Sequence, residues 1–323
     1  MKRLLSFLLL PLSVVPFLVV VPAIVQSHER FDREHNMGPL PAPVAGLTAA
    51  EAGRYRAFDA PKGQIPVLLW HGVGPARDGY TVTQAEFARQ IELLKRLGYE
   101  SISTRQWADF RAGRTAGLPE KPILLTFDDG RLDSYRGADR VLERAGMRAA
   151  MFVITQEIEK ANPFYLTWEE LQAMRDSGRW DVEPHAHAGH HELASSADGK
   201  HAPYYAARRF TRSQGLETLA AWEARVSADL FTLRERFADH GIEPQAFSVP
   251  YGDYGQRGGN DRAIPGLMSG LLTRQFGNWF VQADDNDPGF TVPATGSAPR
   301  YELRTGPGVD ALYRWLRRHS DKR

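Results

Sequence analysis

Four histidines stand close together in the segment D-V-E-P-H-A-H-A-G-H-H-E-L, residues 181–193. They are His185, His187, His190 and His191, in a chain with 10 histidines altogether. Two histidines with one carboxylate form a catalytic metal set that leaves a position open for water. A histidine-rich stretch is also compatible with a polar surface loop, so this segment alone leaves both the metal site and its ligands open.

The adjacent carboxylates Asp128 and Asp129 are the second candidate for chemistry. Two neighbouring negative charges repel, which raises the pKa of one carboxyl group unless a cation neutralises them. A metal bound to one aspartate, with the other acting as a base, resolves this conflict. The alternative is structural: one aspartate caps a helix, and Gly130 supplies an unusual backbone angle.

Strand-like and helix-like segments alternate from residue 64 onward, and they must position these side chains. The apolar runs predict strands over 65–70, 100–102, 122–127, 148–154, 180–183 and 246–249. The amphipathic segments predict helices over 83–97, 105–112, 132–145, 168–177 and 216–240. This alternation is typical of a parallel sheet with crossover helices, and at least six such units favour a barrel.

Each candidate group follows directly after a predicted strand. His71 follows the strand 65–70, the aspartate pair follows 122–127, the histidines follow 180–183, and the turn Pro250-Tyr251-Gly252 follows 246–249. The carboxyl ends of the strands of a parallel α/β barrel share one face, where active sites are built. A histidine at a strand end and a P-Y-G turn are ordinary features singly, but their shared position predicts one site.

Composition excludes several kinds of protein. The chain has 323 residues, of which 42% are hydrophobic and 24% charged, as in a globular protein with a full core. A formal net charge of +1 gives no electrostatic indication of nucleic-acid binding. The absence of cysteine excludes disulfides, thiolate metal ligands and a cysteine nucleophile.

The N-terminus contains a long apolar segment. Residues 4–25 carry no charged side chain and follow Lys2 and Arg3, and a membrane-spanning helix needs roughly 20 such residues. No clear A-x-A pattern precedes Ser27, so we expect residues 1–27 to be an uncleaved signal anchor. Lys2 and Arg3 would then stay cytoplasmic and the remainder would be extracytoplasmic, either periplasmic or extracellular.

A cleaved signal peptide, and therefore a secreted protein, is the alternative, because three prolines interrupt the apolar segment. Residues 28–61 are polar and rich in Pro, Ala and Gly, which predicts a spacer. Residues 62–323 are predicted to form the globular domain.

Three motifs, in this order, resemble those of the polysaccharide deacetylases, carbohydrate esterase family 4. They are L-T-F-D-D-G at 125–130, the histidine segment, and V-P-Y-G at 249–252. The resemblance covers about residues 65–309 and is strongest to the branch that deacetylates poly-β-1,6-N-acetylglucosamine in biofilm matrices. Further stretches that carry it are P-V-L-L-W-H-G-V at 66–73, L-T-W at 166–168 and S-G-R-W at 177–180.

The resemblance implies a distorted (β/α)₇ barrel for the catalytic domain, residues 62–323. It also implies a metal-dependent hydrolase that removes N-acetyl groups from an N-acetylhexosamine polysaccharide and releases acetate. The implied partners are that polysaccharide and, through the N-terminal helix, a membrane. Zinc is the default metal, although Fe²⁺, Co²⁺ and Ni²⁺ also suit two histidines and a carboxylate.

The resemblance also assigns roles to individual residues. It makes Asp128 the general base, Asp129 a metal ligand and His71 the acid that protonates the departing amine. A backbone N–H near Tyr251, in the Pro250–Gly252 turn, would hold the oxyanion.

The metal histidines depend on the branch. In most of the family they are four residues apart, which selects His187 and His191. In the poly-N-acetylglucosamine branch they are five apart and begin near the strand end, which selects His185 and His190. We expect the second pair, because the predicted strand 180–183 runs almost directly into His185.

Two departures from the family pattern concern the partner of the base. The common motif has an arginine two residues before Pro250, where this chain has Ser248. The base's charged partner is therefore missing or comes from elsewhere. The late acidic motif has no clean match; its candidate contributors are Asp285, Asp287, Arg300 and Arg304.

Two alternatives to the leading hypothesis remain open. One keeps the enzyme class but changes the substrate to peptidoglycan, chitin oligomers or another acetylated sugar. The other is a catalytically degenerate polysaccharide-binding module. The intact set of Asp128, Asp129, His185, His190 and His71 argues against it, because a binding module does not need both aspartates.

Overall fold

The computed structural model describes residues 41–42, 44, 46–75, 78–283, 289–306 and 308–320. The predicted signal anchor, much of the predicted spacer, and the candidates Asp285 and Asp287 lie outside these residues. Within the described ranges, no helix combines the length and the apolar character that crossing a bilayer demands.

The described chain alternates strands with helices. The strands are β1 (Ile65–Trp70), β2 (Gly72–Val73), β3 (Thr81–Val82), β4 (Glu100–Ser101), β5 (Pro122–Phe127), β6 (Ala149–Ile154), β7 (Trp180–Ala186), β8 (Glu192–Ala194), β9 (His201–Pro203), β10 (Phe210–Thr211), β11 (Gly215–Leu216), β12 (Phe247–Ser248), β13 (Asn278–Gln282), β14 (Phe290–Thr291) and β15 (Gly296–Glu302). The helices are α1 (Ala49–Ala52), α2 (Gln84–Arg96), α3 (Thr104–Arg111), α4 (Leu132–Ala145), α5 (Thr155–Glu159), α6 (Trp168–Asp176), α7 (Leu219–Asp239), α8 (Ile264–Phe276) and α9 (Gly308–Ser320), with a 3₁₀ turn at Pro250–Gly252.

Seven parallel strands form a nearly closed barrel in the order β12-β13-β15-β1-β5-β6-β7. The predicted barrel is therefore confirmed. Strands β1 and β6 are buried along their whole length, as apolar runs covered on both faces of a parallel sheet must be. Helices α2, α3 and α6 begin at the hydroxyl N-caps Thr83, Ser103 and Thr167.

The barrel interior has two layers of different character. The lower layer is apolar, and its members are Val67, Leu124, Ala150, Phe152, Ala246, Phe280 and Ala298, closed from below by Trp107 of α3. The upper layer, two residues further along the strands, is polar and includes the fully buried Thr126, Ser248 and Arg300. Because side chains of a strand alternate between its faces, this layer continues the same interior column up to Asp128.

The gap between β7 and β12 is bridged by side chains instead of a main-chain ladder. Glu183 accepts hydrogen bonds from the N–H groups of Gln245 (2.9 Å) and Ala246 (3.2 Å). The ring Nδ1 of His185 lies 2.7 Å from the carbonyl oxygen of Ser248. The seam between β7 and β12 is thus closed by the side chains of Glu183 and His185, and His185 is a predicted metal ligand.

Part of the predicted spacer packs on the barrel. Thr48 and Glu51 cap α1 reciprocally, and Leu47 and Tyr55 are buried. The Tyr55 hydroxyl donates to Asp310 of α9 at 2.6 Å. Apolar side chains in this otherwise Pro- and Gly-rich stretch explain the contact, because they gain free energy by leaving water.

Candidate active site and metal centre

The carboxyl ends of the barrel strands surround a cavity of about 610 Å³. Its wall includes His71, Asp129, His185, His190 and Tyr251, which come from four separate segments of the chain. The prediction that these segments meet on one face of the barrel agrees with this arrangement.

Asp129, His185 and His190 converge on one point. The Oδ1 atom of Asp129 lies 3.5 Å from Nε2 of His185 and 3.3 Å from Nε2 of His190. This oxygen is buried and accepts no hydrogen bond from any described residue. An unpartnered buried carboxylate oxygen is costly, and a cation between the three groups would remove that cost. The residues present therefore fit a metal ion.

The hydrogen bond at the barrel seam fixes the tautomer of His185. A carbonyl oxygen only accepts, so His185 must donate from Nδ1 to Ser248. In the neutral ring the lone pair is then on Nε2, the nitrogen that faces Asp129. A backbone carbonyl that orients an imidazole in this way is typical of metal sites.

The second histidine of the cluster is also kept in the form that binds metal. Burial and, to a smaller extent, the neighbouring His185 lower the pKa of His190 to about 4, although Asp129 opposes this. Neutral imidazole is the ligand form, so His190 needs to lose no proton near neutral pH.

His187 and His191 lie elsewhere. Nδ1 of His187 is 2.9 Å from the hydroxyl of Thr155, and Nδ1 of His191 is 3.0 Å from the carbonyl oxygen of Ala188. Neither belongs to the cluster around Asp129. The structure thus places the histidine pair that is five residues apart, and not the pair that is four apart, beside the aspartate.

His185 belongs to strand β7, whereas the predicted strand ended at residue 183. In the β6–β7 ladder, Val153 pairs with Pro184 and Ile154 pairs with Ala186. His185 is therefore the extra residue of a β-bulge. Bulges redirect side chains next to active sites, which explains how this imidazole reaches the cluster from within a strand.

Two residues of the site adopt left-handed backbone conformations that non-glycine residues rarely adopt. Asp129 has φ 75° and Tyr251 has φ 60°. Such conformations cost of order 1–3 kcal/mol and concentrate at functional sites. At Asp129 the turn separates the two carboxylates, because Asp129 lines the cavity while Asp128 lies fully buried behind it.

Asp128 sits in a closed network with Arg300 and Ser248. The Arg300 guanidinium donates to both carboxylate oxygens, at 2.8 and 2.6 Å, and the Ser248 hydroxyl donates to Oδ2 at 3.0 Å. Burial raises the pKa of Asp128, but the Arg300 charge, with those of His185 and His71, outweighs it, so the pKa is lowered. Arg300 therefore supplies the charged partner that Ser248 does not.

His71 and Glu302 face each other on the cavity wall. Their Nδ1 and Oε1 atoms are 3.2 Å apart, an ion-pair distance, although they are not aligned for a hydrogen bond. Burial lowers the pKa of His71, but the Glu302 carboxylate and the charges of Asp129 and Asp128 outweigh it, so the pKa is raised. The arrangement favours a protonated imidazole.

The Pro250–Gly252 turn places Tyr251 over the three candidate metal ligands. The Tyr251 ring stacks on His190, with centroids 5.0 Å apart and an interplanar angle of 22°. Pro250 and Gly252 are buried beneath it, and the Gly252 N–H is already donated to the Val249 carbonyl oxygen.

Glu302 is a candidate functional residue that the sequence motifs do not indicate. Of the two late candidates that the structure describes, Arg300 contacts the base. Arg304 instead lies at the cavity rim, paired with Glu302 at 2.7 Å. Both Arg300 and Glu302 lie near the carboxyl end of β15, a strand that the sequence analysis did not predict. A sequence pattern that predicted a strand at 296–302 would have indicated both residues, because side chains at the carboxyl ends of barrel strands line the active site.

Comparison with known proteins adds independent evidence. Residues 115–261 match the family model described as polysaccharide deacetylase. The putative polysaccharide deacetylase YxkH of Bacillus subtilis is 30% identical over 115 residues, which cover 36% of this chain and 40% of that protein. The poly-β-1,6-N-acetyl-D-glucosamine N-deacetylase of Escherichia coli K12 is 24% identical over 264 residues, covering 75% of this chain and 36% of that protein. The chain thus spans well under half the length of these two relatives.

Solved structures show the same fold. The de-N-acetylase from Aggregatibacter actinomycetemcomitans superimposes with a TM-score of 0.68 at 19% identity, covering 78% of this chain and 99% of that one. IcaB from Ammonifex degensii gives a TM-score of 0.58 at 24% identity, covering 80% and 99%. The chain thus shares its fold with these deacetylases, and residues 115–261 of the barrel are similar to the polysaccharide deacetylase family.

Proposed function

We propose that this protein is a metal-dependent N-deacetylase that releases acetate from an N-acetylhexosamine polysaccharide of the poly-N-acetylglucosamine kind. The observation that carries the proposal is the convergence of Asp129, His185 and His190 in one cavity, with Asp128 behind them and His71 on the wall. The relatives named as poly-β-1,6-N-acetyl-D-glucosamine N-deacetylases support the substrate class.

One divalent ion would be held by Asp129, His185 and His190. Two imidazoles and one carboxylate suit Zn²⁺ first, and Co²⁺, Ni²⁺ or Fe²⁺ as well. When bound, such an ion acts as a Lewis acid and lowers the pKa of water toward 7.

Asp128 would take the proton of the attacking water. Arg300 holds its carboxylate in the ionised form. Oδ1 accepts a single hydrogen bond and keeps acceptor capacity, whereas Oδ2 already accepts two. Because Asp128 is buried behind the cavity wall, the water must approach it past Asp129.

His71 would donate a proton to the departing sugar amine, since Glu302 favours its protonated form. The Tyr251 N–H would donate to the oxyanion that develops on the acetyl group, because the next N–H of the turn is already used.

The proposed location is extracytoplasmic, with residues 1–27 as a signal anchor or, if cleaved, with secretion of the domain. The support is the uncharged segment 4–25 behind Lys2 and Arg3.

Acetate release from defined N-acetylglucosamine oligomers tests the proposal. The full chain should release acetate from β-1,6-linked oligomers only when a divalent metal is supplied. Asp128→Asn should lose about 10²–10⁴-fold in kcat, the usual contribution of a general base, while it retains bound metal.

Chitin oligomers and peptidoglycan fragments belong in the same assay. Faster release from either would replace the substrate class and keep the enzyme class. If the protein binds metal and glycan but hydrolyses no acetylated glycan, it is a binding module.

The choice of ligands is tested by measuring bound metal in His185→Ala and His187→Ala. Only the first variant should lose the metal, because His187 contacts Thr155 instead of the cluster. The two variants are matched in chemistry and sequence position. Loss of metal in the His187 variant alone would contradict the assignment.

A further inference from the structure

Exposed aromatic side chains are concentrated around the cavity. In the part of the chain that the structure describes, four large aromatic side chains are exposed: Tyr80, Phe164, Tyr251 and Phe231. Tyr80 and Tyr251 line the cavity, and Phe164 contacts Arg131, which also lines it. Phe231 lies on α7 and is not part of the cavity wall. Exposed apolar groups that cluster at one place indicate a binding surface.

The Phe164 ring packs on Arg131 and remains partly exposed. The guanidinium of Arg131 lies 4.8 Å from the ring centroid, and the Arg131 side chain is only 6% exposed. Phe164 itself is 46% exposed, and the Tyr165 ring meets it at 5.2 Å in a T-shaped contact. Its carbonyl oxygen accepts the Leu132 N–H at 3.0 Å, which holds the residue beside the end of β5.

Tyr80 is held in place by Asp78, which also binds Arg131. Asp78 accepts hydrogen bonds from the N–H groups of Tyr80 (2.9 Å) and Thr81 (2.7 Å), and its other oxygen accepts from Arg131 at 3.1 Å. The Tyr80 ring lies 5.4 Å from the His71 ring. Asp78 and Arg131 therefore fix both aromatic residues on the His71 side of the cavity.

The charge around these rings favours an uncharged ligand. Arg131 is neutralised by Asp78 at 3.1 Å and by Asp133 at 2.7 Å. Arg304, whose guanidinium lies 4.7 Å from the Tyr80 ring centroid, is paired with Glu302 at 2.7 Å. Neither arginine therefore offers an unpaired positive charge to a phosphate or carboxylate. What remains at Phe164 is a flat apolar face of fixed orientation. Flat apolar faces of this kind pack against the C–H faces of pyranose rings, and a preordered ring loses little entropy on binding.

We infer that Phe164 and Tyr80 are stacking sites for sugar rings that neighbour the reacting N-acetylhexosamine. The protein then recognises several consecutive sugars of one chain, and catalytic efficiency rises with oligomer length. The inference rests on the proposed function for the substrate class. It adds the residues that bind the further sugars of a longer chain.

The test compares kcat/KM for the β-1,6-linked N-acetylglucosamine dimer and pentamer, by acetate release from the full chain. In the unmodified protein the pentamer should exceed the dimer by at least about tenfold, equivalent to about 1.4 kcal/mol. Phe164→Ala and Tyr80→Ala should remove most of this ratio through a higher KM for the pentamer. Phe164→Tyr and Tyr80→Phe, which keep a flat ring, should restore it.

Phe231→Ala is the matched control, because it removes an exposed phenylalanine away from the cavity and should leave the ratio unchanged. A ratio that survives in Phe164→Ala and Tyr80→Ala overturns the inference while the proposed function stands. Calorimetric binding of the pentamer separates the two proposals: without hydrolysis by any form, binding that is weakened only in the two alanine variants upholds the stacking sites and refutes the enzyme. Equal binding by all forms refutes the stacking sites.

Discussion

Asp128 is held at the centre of a fully buried hydrogen-bond network by Arg300 and Ser248. A buried carboxylate stays ionised only where a cation and hydrogen bonds replace its hydration. The Glu302 carboxylate raises the pKa of His71 and so favours its protonated form. The two groups proposed as base and acid are therefore kept in opposite protonation states by separate partners from one strand, β15.

Glu302→Gln should move the pH dependence of catalysis. The Glu302 carboxylate raises the pKa of His71, so its removal lowers that pKa and the imidazole loses its proton at lower pH. A general acid must be protonated to act, so the basic limb of the kcat/KM profile should shift to lower pH.

Glu192→Gln is the control for this shift, since it removes another carboxylate from the same cavity. Its basic limb should stay in place. An unchanged limb in Glu302→Gln, with normal metal content, would show that His71 is not the group that titrates.

At the scale of elements, the segment from β7 to β8 positions the metal ligands. The Asp229 carboxylate of α7 accepts the Ala188 N–H at 2.7 Å and receives a short hydrogen bond from the Tyr205 hydroxyl. Gly189 lies against these groups: a Cβ atom there would be 2.6 Å from the Tyr205 ring and hydroxyl. The loop that carries His190 is thus packed directly on a buried tyrosine.

Gly189→Ala should therefore weaken metal binding. The added methyl group cannot fit without moving the loop or the fully buried Tyr205, and such overpacking typically costs about 1–3 kcal/mol. We expect at least about a tenfold loss of metal affinity, measured by competition with a chromophoric chelator.

Gly266→Ala provides the comparison, because a Cβ at this position in α8 meets nothing within 4 Å. A helical Gly-to-Ala change should leave metal affinity unchanged and raise stability by about 0.5–1 kcal/mol. Equal metal affinity in both variants would show that the loop absorbs the methyl group without moving His190.

The early strands and their chemistry were predictable, whereas β15 was not. Strands β1 and β6 are uninterrupted apolar runs and β5 is interrupted only by Thr126, so their bounds follow closely from the sequence. Strand β15 reads G-S-A-P-R-Y-E, with a proline and two charged residues, which argues against an interior strand. Arg300 and Glu302 could therefore not be placed before the barrel was seen.

At the scale of the whole molecule, the two layers of the barrel interior have different roles. The apolar lower layer fills the interior, and the polar upper layer opens into the cavity between β1, β5, β7 and β12. The sequence predicted this face because four motifs share a position after a strand. It did not predict that β7 and β12 lack a ladder, since pairing between strands depends on how the whole barrel closes.

Metal removal should lower the stability of the entire domain. An ion held by Asp129, His185 and His190 would join the end of β5 to β7 and the loop after it. A ligand that binds only the folded state adds about 2.7 kcal/mol at 100 times its Kd, so chelation should lower the Tm by about 5 °C.

Added Zn²⁺ should restore the Tm of the unmodified chain and leave His185→Ala unaffected. A Tm that does not respond to chelator or to Zn²⁺ in the unmodified chain would argue against an ion bridging these strands.

Arg300 reaches Asp128 from β15, whereas the common family motif places an arginine where Ser248 stands in β12. The two strands are not neighbours, since β13 lies between them, yet the Arg300 guanidinium and the Ser248 hydroxyl are 2.8 Å apart. An arginine on either strand can therefore place its guanidinium in this part of the barrel interior. An alignment column in which serine replaces the arginine of the common motif therefore does not mark the loss of a charged partner for Asp128.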